Sequence, residues 1–122
     1  MDLVINPKSG TPIYEQIYRT ISAQILNGAL APDECLPSIR TVAREIGVSV
    51  ITVKNAYERL EREGYIYTQA GRGCFVGAHS ETRLEDKRLR VAQEKLSRAI
   101  EDCTALGLSK NEISDLFKKT IG

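Results

Sequence analysis

Few side chains in this sequence could make or break bonds. One histidine, His79, and three cysteines, Cys35, Cys74 and Cys103, are the candidates for nucleophile, general base or soft-metal ligand among 122 residues. The cysteines stand far apart with no C-x-x-C pair, a spacing that suits neither a structural zinc site nor a disulfide framework. A Ser-His-Asp or Cys-His constellation would rest on His79 alone, inside the stretch GAHSET that reads as a linker. The pair Gly71-x-Gly73 lacks the following helix and the lysine or acidic partner that a nucleotide loop needs. No enzyme, no metal and no other cofactor is expected.

What remains is chemistry that holds rather than converts. Ser38 and Arg40 stand together, then Ser49, Val50, Ile51, Thr52, Lys54 and Asn55, then Gly71 and Arg72. Ser49 and Thr52 carry small hydroxyls suited to phosphate oxygens, helped by the exposed N–H groups of a helix start. Val50 and Ile51 form an apolar pair that suits thymine methyl groups. Gly71 permits close backbone approach, and Arg72 suits a narrow minor groove. Arg40 sits near a helix start, where a cation is mildly unfavourable. Lys54 has Glu58 four residues on, so an ion pair stands beside a contact as its reading. Arg44 and Arg59 read as surface charges.

The elements that must position these residues are marked by their own punctuation. Thr11-Pro12 is a hydroxyl cap with proline at the first helical position. Ile13, Ile17, Ile21 and Ile25 then give one apolar face, and Asn27-Gly28 ends it. GALAPDECLP follows without periodicity and reads as a connecting loop. Ser38 caps a short helix with Ile39, Val42, Ala43 and Ile46 inward, stopped by Gly47. Ser49 caps the next, with Val53, Ala56, Tyr57 and Leu60 inward and Gly64 at its end. Two helices joined by so short a glycine turn are a helix-turn-helix.

After Gly64 the period changes. Tyr65-Ile66-Tyr67-Thr68 and Cys74-Phe75-Val76 read as short strands, and Gln69-Ala70-Gly71-Arg72-Gly73 between them as the turn of a hairpin. A helix-turn-helix followed by a hairpin is a winged helix. The expected fold is therefore mainly α with a small β-hairpin, a winged helix-turn-helix over residues 1–78 and a two-helix dimerisation tail over 79–122. In that tail Leu89, Ala92, Leu96, Ala99, Cys103 and Leu106 alternate in steps of three and four, the spacing of a heptad seam. Gly107 breaks the helix. Ser109 and Glu112 then form a capping box that opens a last helix with Ile113, Leu116, Phe117 and Ile121 on one side. Two short helices cannot bury both stripes alone, and pairing with a second chain would. Cys103 in the seam reads as a small hydrophobe.

Composition limits the surroundings. Hydrophobic residues make up 42% and charged residues 27%, an ordinary globular balance. No run nears the roughly 20 apolar residues that cross a bilayer, and MDLVINPKSG lacks the layout of a secretory signal, so a cytoplasmic chain without a membrane partner is expected. Lys+Arg is 17 against 16 for Asp+Glu, a net charge of +1. Residues 1–78 carry eight basic and eight acidic side chains, and residues 79–122 nine and eight. Any electrostatic footprint must come from local placement.

Several spaced submotifs now agree in order. Leu36-Pro37-Ser38-Ile39-Arg40-Thr41-Val42-Ala43, Gly47-Val48-Ser49, Thr52-Val53, Ala56-Tyr57, Leu60, Glu63-Gly64 and Gly71-x-Gly73-x-Phe75-Val76 resemble the winged helix-turn-helix of GntR-family bacterial transcription regulators. The resemblance covers about residues 10 to 77. The helical tail is similar to the YtrA-type subfamily, in which a dimerising helix pair replaces a large effector domain. The resemblance implies a homodimeric, sequence-specific DNA-binding regulator, expected to be a repressor, on an inverted-repeat operator. The recognition helix would lie in the major groove and the wing near the minor groove.

Residue by residue, Arg40 matches an arginine that contacts DNA in relatives, and Lys54 matches a position that is often basic. Two positions depart. After the serine cap the family often has an arginine that reads guanine, where this chain has Val50, and before Gly71 it has Ala70 in place of a polar or basic residue. Two other readings stay open: a winged-helix protein–protein module without DNA binding, and a ligand- or redox-responsive switch whose small-molecule effector sits at the dimer interface.

Overall fold

The computed structural model describes residues 1–78 and 81–122, with the backbone alone for Glu81. His79 and Ser80 lie outside the described residues, while Glu81 and Thr82, the end of the stretch read as a linker, already open a helix. The described residues divide into two units, Met1–Leu84 and Glu85–Gly122. The elements run α1 (Ile13–Leu26), α2 (Ile39–Ile46), α3 (Val50–Arg62), β1 (Ile66–Gln69), β2 (Gly73–Val76), α4 (Glu81–Ala105) and α5 (Lys110–Ile121). The chain is mainly α with one small antiparallel sheet, a winged helix-turn-helix followed by two helices.

Isoleucine at every fourth residue builds the first unit's core. Ile17, Ile21 and Ile25 of α1 are buried, and α1 packs on α3, whose Val53, Ala56, Tyr57 and Leu60 are buried in turn. Each such aliphatic side chain contributes about 1.5–3 kcal/mol when removed from water. Leu30, Leu36, Val42, Ala43, Tyr65, Ile66 and Val76 complete the core. Ile39 and Ile46 are only half-buried at the margins of α2.

The start of α1 lies one residue later than Thr11-Pro12 suggested. Pro12 is the cap residue, with an extended ψ of 147°, and no side chain caps the helix. Gln16 instead fixes the segment that leads in: its side-chain amide bonds the backbone N–H and carbonyl of Asn6 and the carbonyl of Thr11, all at 2.9 Å. The N-terminal segment is thereby tied back to the first turn.

The two following helices open alike. Ser38 Oγ accepts the Thr41 N–H at 3.1 Å, and Ser49 Oγ accepts the Thr52 N–H at 3.2 Å. Between them Gly47 takes φ +71°, which an L side chain adopts only with strain, and the chain reverses there in one residue. That tight turn sets α3 against α2.

In the hairpin Ile66 pairs with Val76 and Gln69 with Gly73, leaving Ala70-Gly71-Arg72 as the turn. The connection before α2 is more than a loop. Cys35 forms a bridge opposite Phe75, the Leu36 N–H donates to Cys74 O and the Val76 N–H to Glu34 O, each at 2.9 Å. Its two prolines and missing periodicity hid a one-residue third edge on the wing, too short to leave a pattern.

In the second unit, α4 continues to Ala105 and Gly107 turns the chain with φ +95°. The Ser109–Glu112 capping box opens α5 as its residue types required. The two helices do not pack along each other.

Candidate nucleic-acid interface

Burial decides which side of α3 can meet a partner. Val53, Ala56, Tyr57 and Leu60 face the core, so Val50, Ile51, Lys54 and Asn55 face solvent, with Thr52 half-buried between. Val50 is 48% exposed and Ile51 59%. Lys54 Nζ lies 3.8 Å from the Glu58 carboxylate, the pair that the spacing allowed. Ser49 and Thr52 share a hydrogen bond of 2.7 Å between their hydroxyls, and Ser38 donates one of 2.8 Å to Thr41. Each serine first serves to start its helix; Ser38 gives its proton to Thr41 and must turn its hydroxyl to reach a phosphate, whereas the Ser49–Thr52 pair, using one of its two protons, keeps the other for one.

Arg40 is exposed in the first turn of α2 and Arg44 in its last. Neither makes an ion pair with the described residues. Gly71 and Arg72 form the tip of the wing, both exposed, with Gly71 at φ +77°. The Arg72 N–H closes the turn on Gln69 O at 3.0 Å. All ten residues singled out for DNA thus lie in the first unit, on α2, on α3 and at the wing tip.

Three ties make this surface stiff. Tyr57 Oη donates to Pro37 O at 2.7 Å, joining α3 to the residue before the α2 cap. Burial pushes the Tyr57 pKa above its ordinary value, so the hydroxyl keeps its proton. Tyr67 Oη donates to Asp33 Oδ1 at 2.7 Å, and Tyr67 stacks on Phe75 with ring centres 5.5 Å apart, bracing the wing against the strand-like loop.

The third tie corrects the sequence reading of Arg59 as a surface charge. Its guanidinium bonds Glu15 of α1 at 2.5 Å, approaches Glu63 at 3.7 Å and lies 3.8 Å from the centre of the Tyr18 ring. Burial works against its charge, yet the bond to Glu15 and the charges of Glu15, Tyr18 and Glu63 together outweigh it and raise the pKa. Tyr18 also donates to Glu63. No local spacing could reveal a contact between residues 44 apart.

The tail residues lie in the second unit or just before it. Leu89, Leu96, Leu106, Leu116 and Phe117 are exposed, as are the small Ala92 and Ala99, while Cys103 and Ile113 are half-buried. Ile100, also exposed, joins this apolar surface. The heptad count passed over it, although it stands four residues after Leu96.

Comparison with known proteins now bears on this arrangement. Residues 13–76 match the model of the family "Bacterial regulatory proteins, gntR family". The chain belongs to the GntR family. This GntR protein is 36% identical over 94% of its length, and 88% of the relative's, to the HTH-type transcriptional repressor YtrA of Bacillus subtilis. Its fold superposes on a crystal structure described as a transcriptional antiterminator from Listeria monocytogenes EGD-e with TM-score 0.75 and 37% identity, covering 100% of this chain and 91% of that one. The AraR DNA-binding domain in complex with operator ORX1 matches at TM-score 0.54 and 32% identity, over 62% of this chain and 93% of that one. The GntR chain is thus a DNA-binding transcription regulator, as the wing and helix-turn-helix imply, and not an enzyme. Its likeness to YtrA runs through the helical tail. No helix among the described residues is long and apolar enough to cross a membrane.

Proposed function

We propose that this GntR-family protein is a homodimeric repressor that binds an inverted-repeat operator, one half-site per subunit. Residues 1–78 hold DNA and residues 79–122 pair the subunits. The carrying observation is the outward face of α3, where Val50, Ile51, Lys54 and Asn55 stand free of the core behind a capped N-terminus. Helices so presented place their first residues against base edges in the major groove. Arg40 and Ser38 on α2, with Ser49 and Thr52, contact phosphates, while Gly71 and Arg72 approach the minor groove. YtrA, the relative matched along nearly the whole chain, is a repressor, which supports that direction of control.

The dimer rests on the tail. Leu96 is 54% exposed and Phe117 50%, and α5 does not cover α4. A second chain removes both stripes from water, and a two-fold dimer matches a two-fold operator. Its place of work is the bacterial cytoplasm, where the DNA is. A small-molecule effector, if one is used, binds between the paired tails.

Selection of bound duplexes from a random library, at low and near-physiological salt, tests the reading. An enriched inverted repeat is expected. With six to ten phosphates neutralised, affinity falls about 10³–10⁵-fold from 50 to 200 mM salt. Enrichment at neither salt would leave a protein–protein module as the better account.

A further inference from the structure

The outward face of α3 carries a message about which bases it meets. Its first residues are neither arginine nor glutamine but two adjacent β-branched hydrocarbons, Val50 and Ile51, both well exposed. Of the other large apolar side chains described in this unit, Met1, Val4 and Tyr14 are exposed, and the rest are buried or half-buried. On a helix, valine and isoleucine hold essentially one rotamer, so they are stiff knobs whose contact with a partner costs little ordering.

Reading guanine takes a bidentate arginine or lysine on O6 and N7. Neither stands at 50 or 51, and the lysine of this face, Lys54, has the Glu58 carboxylate 3.8 Å away. Asn55, exposed beside it, has the amide geometry that bonds adenine N6 and N7. Hydrocarbon pressed on a G·C edge would strip water from its polar atoms without replacing it, a penalty that is smaller on an A·T pair, where the side chain can rest on the thymine methyl.

We propose that Val50 and Ile51 read thymine methyl groups, so that the base pairs facing the start of α3 are A·T, with Asn55 on an adenine of the same half-site. This specificity rests on the DNA-binding reading above and narrows it to a base composition.

The test removes one methyl group at a time. Full-length protein selects its operator, and each thymine of a half-site is then replaced singly by deoxyuridine, which lacks only the 5-methyl. One or two thymines are expected to lose about fourfold in affinity, the transfer free energy of one methyl, and the others nothing. Val50→Ala and Ile51→Ala, exposed and so tolerated by the fold, bind more weakly, and each loses the distinction between thymine and deoxyuridine at the base its own side chain meets. Val50→Thr keeps the shape of the side chain and guards against a folding defect.

An operator that binds, and weakens with Arg40→Ala, yet tolerates every deoxyuridine or carries G·C pairs beneath α3, overturns the thymine reading and leaves DNA binding standing. A thymine whose discrimination survives both alanine substitutions overturns it likewise. Absence of any selected duplex overturns both.

Discussion

Tyr57 and Pro37 meet in a 2.7 Å hydrogen bond that runs from the buried face of α3 to the last residue before the cap of α2. Through it α3, the helix proposed to face DNA, holds the start of the helix that carries Arg40. A helix-turn-helix needs these two elements in one fixed relation, and a glycine turn alone does not supply rigidity. Tyr57→Phe keeps the ring and leaves the Pro37 carbonyl unpaired. We expect a loss of about 1–2 kcal/mol in urea unfolding. Unchanged stability would mean that water replaces the hydroxyl.

Arg59 should matter to stability although it carries charge. It links α1 to α3 through Glu15 while covering the Tyr18 ring. Arg59→Ala is expected to cost about 1–2 kcal/mol, and Arg59→Lys to recover only part, because a point charge cannot bond in a plane and lie over a ring at once. Thermal unfolding of the three proteins at equal salt decides this.

Arg40 should behave in the opposite way. It is exposed and makes no ion pair with the described residues, so Arg40→Ala leaves the melting temperature unchanged. Binding to the selected operator should weaken about tenfold, and the slope of log affinity against log salt should fall by about one. A full-strength variant complex would place α2 away from the DNA.

Leu96 tests the tail. Leu96→Glu puts a charge in the middle of the proposed seam, where burial against a second chain would strand it. Sedimentation is expected to show a monomer where the parent chain is a dimer, with operator affinity reduced. An unshifted dimer would assign the pairing to another surface.

Acid should loosen α5 first at its cap. The Ser109 N–H bonded to the Glu112 carboxylate, with the bond between their side chains, holds the Glu112 pKa below its ordinary 4.5. The charged form is thus favoured in the folded helix. Its stabilisation is complete above the unfolded pKa and disappears as the pH falls through the lower folded value. The protection of the Ile113 amide, its exchange rate divided into that of an unfolded peptide at the same pH, should fall on acidification in the parent chain and stay level in Glu112→Gln, whose uncharged amide still accepts the Ser109 N–H.

Much of this protein is legible locally. Ser38, Ser49 and Ser109 announce helix starts because a hydroxyl three residues before a free N–H is a short-range device. Gly47, Gly64 and Gly71 mark reversals for the same reason, and the isoleucines of α1 declare its buried face. The candidate contact residues, from Arg40 to Arg72, follow from those boundaries together with the motif they form. The outcome was different wherever partners are distant in the chain. Glu15 and Arg59, Tyr67 and Asp33, Tyr57 and Pro37, and Cys35 and Phe75 meet only after the helices pack, and no periodicity records such a meeting. Local spacing determines which elements form and which way they face; tertiary packing alone decided that Arg59 is a tie rather than a surface charge and that the loop before α2 lends the wing an edge.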